Sequence, residues 1–221
     1  MSTLQTLDRG ITALFVIASR PDGISIADLS SELDVPRASA YRIVNTLEAH
    51  GLIRRGADGA LRLGGSITLL AAAFWPGFLE QVRPVLQSLA EASGATSFLS
   101  IAQGRDCIVV ATAEPSKPIL RVGYRVGSRH PLDRGAAGVA ILAGRPAGPD
   151  DAAAVRAARL DGFSVTRGQL QPGAVGVATW IVRREETVPE LSIGIVALEG
   201  IDVAAAAAAV LTAASESAAL T

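Results

Sequence analysis

Residues 25–63, SIADLSSELDVPRASAYRIVNTLEAHGLIRRGADGALRL, constrain this chain more than any other stretch. Their spacing predicts two short amphipathic helices followed at once by a two-stranded hairpin. That is the order of a helix-turn-helix with a wing, which places one helix in a groove of duplex DNA. Ser25 and Asp28 form a capping box for a helix over residues 26–33, with an apolar stripe of Ile26, Leu29 and Leu33. Asp34 and Val35 make the turn. Pro36 suits the first position of the next helix, where its missing N–H costs nothing. That helix runs to about residue 50, and Gly51 supplies the position just past its end. Ala40, Ile43, Val44 and Leu47 form the buried face. Arg37, Ala38, Ser39, Tyr41, Arg42 and Asn45 lie on the other side, and such side chains suit base edges and phosphates. Residues 52–55 and 60–63 then flank a turn containing Asp58-Gly59, a strong hairpin dipeptide. The wing arginines Arg54, Arg55 and Arg62 are placed to reach the phosphate backbone.

A lone helix pair is more often core packing than a reader of DNA. The wing, the Pro/Gly punctuation and the exposed arginine face tip the reading toward double-stranded DNA. Total charge does not add to it, because residues 1–65 hold seven arginines and seven acids. The charge is polarised, however: residues 35–65 carry a net +3 and residues 1–34 a net −3. A local patch is enough to steer phosphate.

At 221 residues the chain has room for one large or two modest domains. A net charge of −1 excludes a generally polycationic protein. The single Cys107 forbids an intrachain disulfide and gives no sign of export. No basic segment precedes an early apolar stretch, and no apolar run approaches ~20 residues. The expectation is a cytoplasmic protein.

Residues 3–20 read as a first helix, with Leu4, Leu7, Ile11, Leu14, Phe15 and Ala18 in period and Pro21-Asp22-Gly23 as its stop. Residues 63–77 read as a linker with a short apolar helix over 67–74. Its apolar surface fits either a dimer contact or packing on a second domain, and the sequence leaves both open. From residue 78 the pattern changes. A helix over 78–93 precedes strands at 96–103, 107–113 and 119–126. Helices follow at 135–143 and 151–160, strands at 163–167, 174–182 and 191–198, and Asp202 caps a final alanine-rich helix. Hairpin-linked strands with helices between and after give an α+β domain with a mainly antiparallel sheet.

The 25–55 segment, LRLG at 61–64, LEQVRPVLQSLAEASGATSFLSI, GSRHPLDRGAAGVAILAG (127–144) and DGFSVTRGQLQPGAVGVATWIV (161–182), in this order and spacing, resemble the IclR family of bacterial transcriptional regulators. The resemblance implies a winged helix-turn-helix domain over 1–64, a linker helix over 65–77 and a GAF-like effector-binding domain over 78–221. It also implies a ligand-responsive regulator, a repressor, that grips a pseudo-palindromic operator as a homodimer or tetramer. The chain departs from the family pattern at several points. Asp133 and Val139 stand where a His and a Lys are usual, Thr179-Trp180 replaces an Ala-Pro pair, and residues 194–198 are wholly apolar where serines often face an acidic effector.

An enzyme reading finds little chemistry. His50, His130 and Cys107 form no spaced ligand set, so neither metal nor cofactor is expected. Ser128 and Ser192 lie in no nucleophile elbow. The alternative of a metabolite-binding protein or enzyme, whose winged helix serves protein contacts, is separable by duplex affinity with a steep salt slope. Ala136, Ala137 and Gly138, at a helix start, suit either backbone N–H contacts to a ligand or close helix–sheet packing. Gly176 and Trp180 share one strand face, which reads as an apolar ligand floor or as core. With Val196 and Leu198 they outline a site for an apolar or aromatic effector, with Tyr124 at the rim.

Overall fold

Apolar spacing in the first third of the chain produces three packed helices and a hairpin. The computed structural model describes residues 3–75, 77–117 and 124–221. The chain divides into two units, Met1–Pro76 and Gly77–Thr221. In the first, α1 (Gln5–Ala18), α2 (Ile26–Glu32) and α3 (Arg37–Ala49) precede β1 (Ile53–Arg55), β2 (Leu61–Leu63) and α4 (Ser66–Ala73). Ala13, Ile17, Leu29, Ile43, Val44, Leu47, Ile53 and Leu61 form one core.

Local chemistry sets the boundaries. Ser25 Oγ accepts the Asp28 N–H at 3.1 Å and donates its own proton to Asp28 Oδ2 at 2.7 Å, so the capping box closes through both side chains. Pro36 is the cap residue before α3, at φ −57° and ψ 145°, rather than its first helical residue. The proline ring fixes φ alone, and the extended ψ places Pro36 outside the helix. At the other end Gly51 takes φ +67°, Gly51 N–H donates to Glu48 O, and Leu52 N–H donates to Leu47 O. This paired closure of the last carbonyls needs a residue free to adopt the left-handed region. Ile24 pairs with Leu61 through two backbone hydrogen bonds, an isolated bridge onto the two-stranded wing that the sequence pattern did not reveal.

The second unit comprises α5 (Phe78–Ser93), β3 (Thr96–Gln103), β4 (Asp106–Ala113), β5 (Arg129–Pro131), α6 (Gly135–Ala143), α7 (Ala153–Asp161), β6 (Ser164–Arg167), β7 (Ala174–Ile181), β8 (Leu191–Leu198) and α8 (Val203–Ala218). The sheet order is β5-β4-β3-β8-β7-β6, and every pairing is antiparallel. The fold is therefore α+β, as the spacing of strands and helices implies. Helices α5 and α8 pack together and against the sheet, while α6 packs on the sheet and carries α7. Ser97 Oγ donates to Leu86 O of α5 at 2.7 Å, whereas neighbouring Phe98 packs with Ala136, Ala137 and Ala140 of α6. Successive side chains of β3 thus meet opposite helical layers. Coverage on both faces explains why β3 and β8 are buried over six consecutive residues rather than alternately.

One expected strand needs revision. Of residues 119–126, the segment 119–123 lies outside the described residues, and 124–126 are not in a strand. The next strand instead starts at Arg129 and pairs with β4 in the register Cys107↔His130.

Candidate nucleic-acid interface and effector cavity

In the first unit, α3 is held by its inner face. Ala40, Ile43, Val44 and Leu47 are buried, and Arg37, Ala38, Tyr41, Arg42 and Asn45 are exposed, as the helical phase requires. Ser39 is half-buried, and with Arg42 it borders a groove of about 680 Å³ between α3 and the α1 residues Leu4, Leu7 and Ile11. The tight turn before α3 uses Asp34 at φ +49°. Buried Ser30 locks that turn: its backbone carbonyl accepts the Val35 N–H, and its hydroxyl donates to Val35 O at 2.7 Å. Alternation alone did not mark Ser30, which looks like a polar interruption of the apolar stripe.

The wing arginines divide by partner. Arg54 is exposed and makes no ion pair with a described residue, and Arg55 meets Glu48 only at 4.0 Å. Arg62 is engaged: it donates to Asp58 Oδ1 at 3.0 Å, to Asp58 Oδ2 at 2.7 Å and to Asp22 O at 2.7 Å. This bidentate contact holds the Asp58 carboxyl well below the usual carboxylate range. Expected as a phosphate contact, Arg62 is placed as a brace across the wing, and phosphate would have to compete with Asp58 for it.

On α1 the apolar residues split into two stripes. Ala13 and Ile17 point into the core, while Leu4, Leu7, Ile11 and Phe15 are 76%, 59%, 46% and 72% exposed. On α4, Leu69 and Leu70 are exposed as well, and the helix has no buried residue.

In the second unit, a cavity of about 50 Å³ opens between the start of α6 and the sheet. Ala136, Ala137, Gly176 and Val196, expected at an effector site, all line it. Phe98, Tyr124, Thr166, Gln169, Leu170, Gln171 and Ala174 complete the lining among the described residues. Gly176 is required by the close approach, since a Cβ there would stand 3.1 Å from Ala136 Cβ and 3.3 Å from Thr166 Oγ1. The 168–173 loop is clamped onto the helix start: Gln169 Oε1 accepts Gly135 N–H at 2.9 Å, and Arg134 donates to Gln169 O at 2.6 Å. A helix leaves its first N–H groups without intrahelical partners. Gln169 takes the first of them, and those of Ala136 and Ala137 follow at the cavity wall.

Three expected effector residues lie elsewhere. Trp180 shares the strand face of Gly176 but packs with Val139, Ala143, Val155 and Ala158, at the far end of α6. A Cβ on Gly144 would meet Trp180 Cγ at 2.7 Å, so the indole fills the space between α6 and the sheet. Four residues along a strand span roughly 13 Å, which carries Trp180 past the cavity. Gly138 abuts the Leu132 backbone, with an added Cβ only 2.4 Å from Leu132 O. Leu198 is 42% exposed and beyond the lining. Sequence spacing did not mark Thr166, Gln169 and Gln171; the last two lie within GQLQPG (168–173), where two glutamines in a Gly/Pro-bounded loop were the available signal.

Cys107 is fully buried, and burial pushes its thiol up to about 12, which suits a core residue and not a redox sensor. Among the described residues, no group of three His, Cys, Asp or Glu side chains is placed to hold a metal ion. No described helix is long and apolar enough to cross a membrane.

A winged helix-turn-helix followed in the same chain by an antiparallel sheet covered by helices on both faces, with a small cavity at the start of α6, defines the class: a DNA-binding fold carrying a second, effector-type domain. The IclR helix-turn-helix domain matches residues 6–57, and the C-terminal domain of bacterial IclR transcriptional regulators matches residues 77–166. The chain belongs to the IclR family. It is 35% identical over 144 residues to the HTH-type transcriptional regulator Rv1719 of Mycobacterium tuberculosis, a match covering 65% of this chain and 55% of that one. The chain thus spans about half the length of the curated relatives it matches. Its fold matches the IclR transcriptional regulator of Alicyclobacillus acidocaldarius with a TM-score of 0.81, at 19% identity over 99% of both chains. It also matches an IclR homologue of Microbacterium hydrocarbonoxydans in complex with 4-hydroxybenzoate, with a TM-score of 0.79 at 20% identity over 97% and 98% of the two chains.

Proposed function

We propose that this protein is a ligand-responsive transcriptional regulator that binds a pseudo-palindromic operator as a homodimer or a pair of dimers. The observation that carries the reading is α3 itself, a helix locked by four buried residues that presents Arg37, Ala38, Tyr41, Arg42 and Asn45 outward. Arg42 and Asn45 suit base edges, while Arg54 and Arg55 suit phosphates. Two copies joined through the exposed stripes of α1 and α4 would set two such helices into successive major grooves about 34 Å apart. The groove beside α1 and the exposure of Leu4, Leu7 and Phe15 support that contact. Where the operator overlaps a promoter, occupancy excludes the polymerase and the outcome is repression.

The α6 cavity is the effector site in this reading. Its lining is mainly apolar, with Thr166 and the glutamines of the 168–173 loop supplying polar atoms, which suits an aromatic acid. The related protein held with 4-hydroxybenzoate supports that class. Ligand binding acts by shifting the population between dimer geometries that do and do not fit the operator. The test is fluorescence anisotropy on DNA flanking the protein's own gene, over a salt series, with and without aromatic acids. Affinity that falls steeply with salt and with ligand is expected. Indifference to duplex DNA at low salt overturns the reading.

A further inference from the structure

The α6 cavity is already filled in part by the protein's own phenol. The Tyr124 ring packs on Ala174 and on Val196, the latter expected at an effector site, and meets Phe98 edge-on at 4.9 Å and 73°. Its hydroxyl lies 2.9 Å from His130 Nε2, and His130 Nδ1 lies 2.9 Å from Pro131 O. A carbonyl can only accept, so Nδ1 carries the imidazole proton and Nε2 accepts from the phenol. Burial raises the Tyr124 phenol well above its ordinary range, so it keeps the proton it donates. Beside it stands Ser100, fully buried, whose hydroxyl faces the Tyr124 phenol and the Cys107 thiol. A buried hydroxyl beside a phenol can donate to the phenol oxygen, so this position recognises a hydroxylated ring. The remaining 50 Å³ holds one or two waters, whereas a cavity that admits benzene measures about 150 Å³.

From these contacts we infer that Tyr124 is a resident occupant of a phenol-selective site, and that the effector is a phenolic compound that takes its place. The incoming ring lies between Phe98 and Val196, its hydroxyl donates to His130 Nε2, and Ser100 donates to the oxygen. Tyr124, which sits outside any helix or strand, turns away as it is replaced. The inference rests on the effector reading of this cavity and adds the chemical class and the competitor.

The test uses the full chain, with p-cresol (the tyrosine side chain as a free molecule) and toluene as calorimetric probes. Tyr124→Ala is expected to bind p-cresol at least tenfold tighter than the unaltered protein does, and at least tenfold tighter than it binds toluene. Tyr124→Phe keeps the ring and the fold but releases His130, and is expected to raise p-cresol affinity several-fold. Equal affinity of Tyr124→Ala for the two probes, or no gain over the unaltered protein in either variant, overturns the inference. If Tyr124→Ala does not fold, Tyr124→Phe decides alone. Operator release is read in the same titrations. Tight p-cresol binding without release overturns the effector reading and leaves Tyr124 as the occupant.

Discussion

Arg62 holds Asp58 through two parallel contacts, 3.0 Å to Oδ1 and 2.7 Å to Oδ2, and reaches Asp22 O with the same guanidinium at 2.7 Å. The wing's second strand is thereby tied both to its own turn and to the loop that follows α1. Arg62 is thus a brace, while Arg54, its cross-strand partner, is exposed and available to an anion.

This separation predicts different salt behaviour. Arg54→Ala is expected to weaken all duplexes alike and reduce the salt slope of log affinity by about 1. Arg62→Ala is expected to lower thermal stability and to leave that slope nearly unchanged. Anisotropy titrations at four salt concentrations distinguish them, and equal slopes for the two variants would count against the brace.

The same pair carries a pH signature. Asp58 is depressed in the folded state, so its contribution is fully present above the unfolded value of 3.8 and is lost as pH falls toward the folded value. Asp58→Asn and the unaltered protein are therefore expected to differ in melting temperature at pH 6, with the gap starting to close only as pH falls below 3.8 and narrowing progressively in stronger acid. A gap that persists unchanged in acid would mean that Asp58 acts through its turn geometry alone.

Arg42 stands on the outer face of α3 with no ion-pair partner among the described residues. Arg42→Ala is expected to cost about 1–3 kcal/mol on the operator and much less on unrelated duplex. Equal losses on both would reassign Arg42 to phosphate.

Phe15 and Leu70 are 72% and 63% exposed. Phe15→Asp or Leu70→Asp is expected to drive the protein toward monomer in sedimentation velocity and to weaken operator binding, with the helical circular dichroism signal retained. Unaltered assembly in both variants would place the dimer contact elsewhere.

Trp180 packs in the α6–α7 layer, away from the cavity. Trp180→Ala is expected to cost about 2–3 kcal/mol of stability, less than deletion of a fully buried aromatic because the indole is only partly buried. Effector affinity below the melting transition is expected to hold. A selective loss of ligand binding at unchanged stability would return Trp180 to the site.

Much of the fold was legible because its signals are local. The Ser25–Asp28 cap, Gly51 past α3, Asp58-Gly59 in the wing and Asp202 before α8 each act within a few residues, and each appears where the sequence put it. The inner and outer faces of α3 followed from a single helical phase. What the sequence could not tell was which partner a side chain meets across the chain. Arg62 looked like a phosphate ligand until the fold brought Asp58 and Asp22 to it. Gly176 and Trp180 share a strand face, yet α6 covers that face with its open start over one and its packed end over the other. Tyr124 read as a rim residue, and only the pairing of β4 with β5, which brings His130 beside Cys107, gave its hydroxyl a buried partner. Sequence by itself determined most of the elements and the exposed face of α3, because those depend on periodicity and backbone preference. Tertiary structure alone decided the cavity and the packing of Tyr124 against it, because both depend on contacts between residues far apart in the chain.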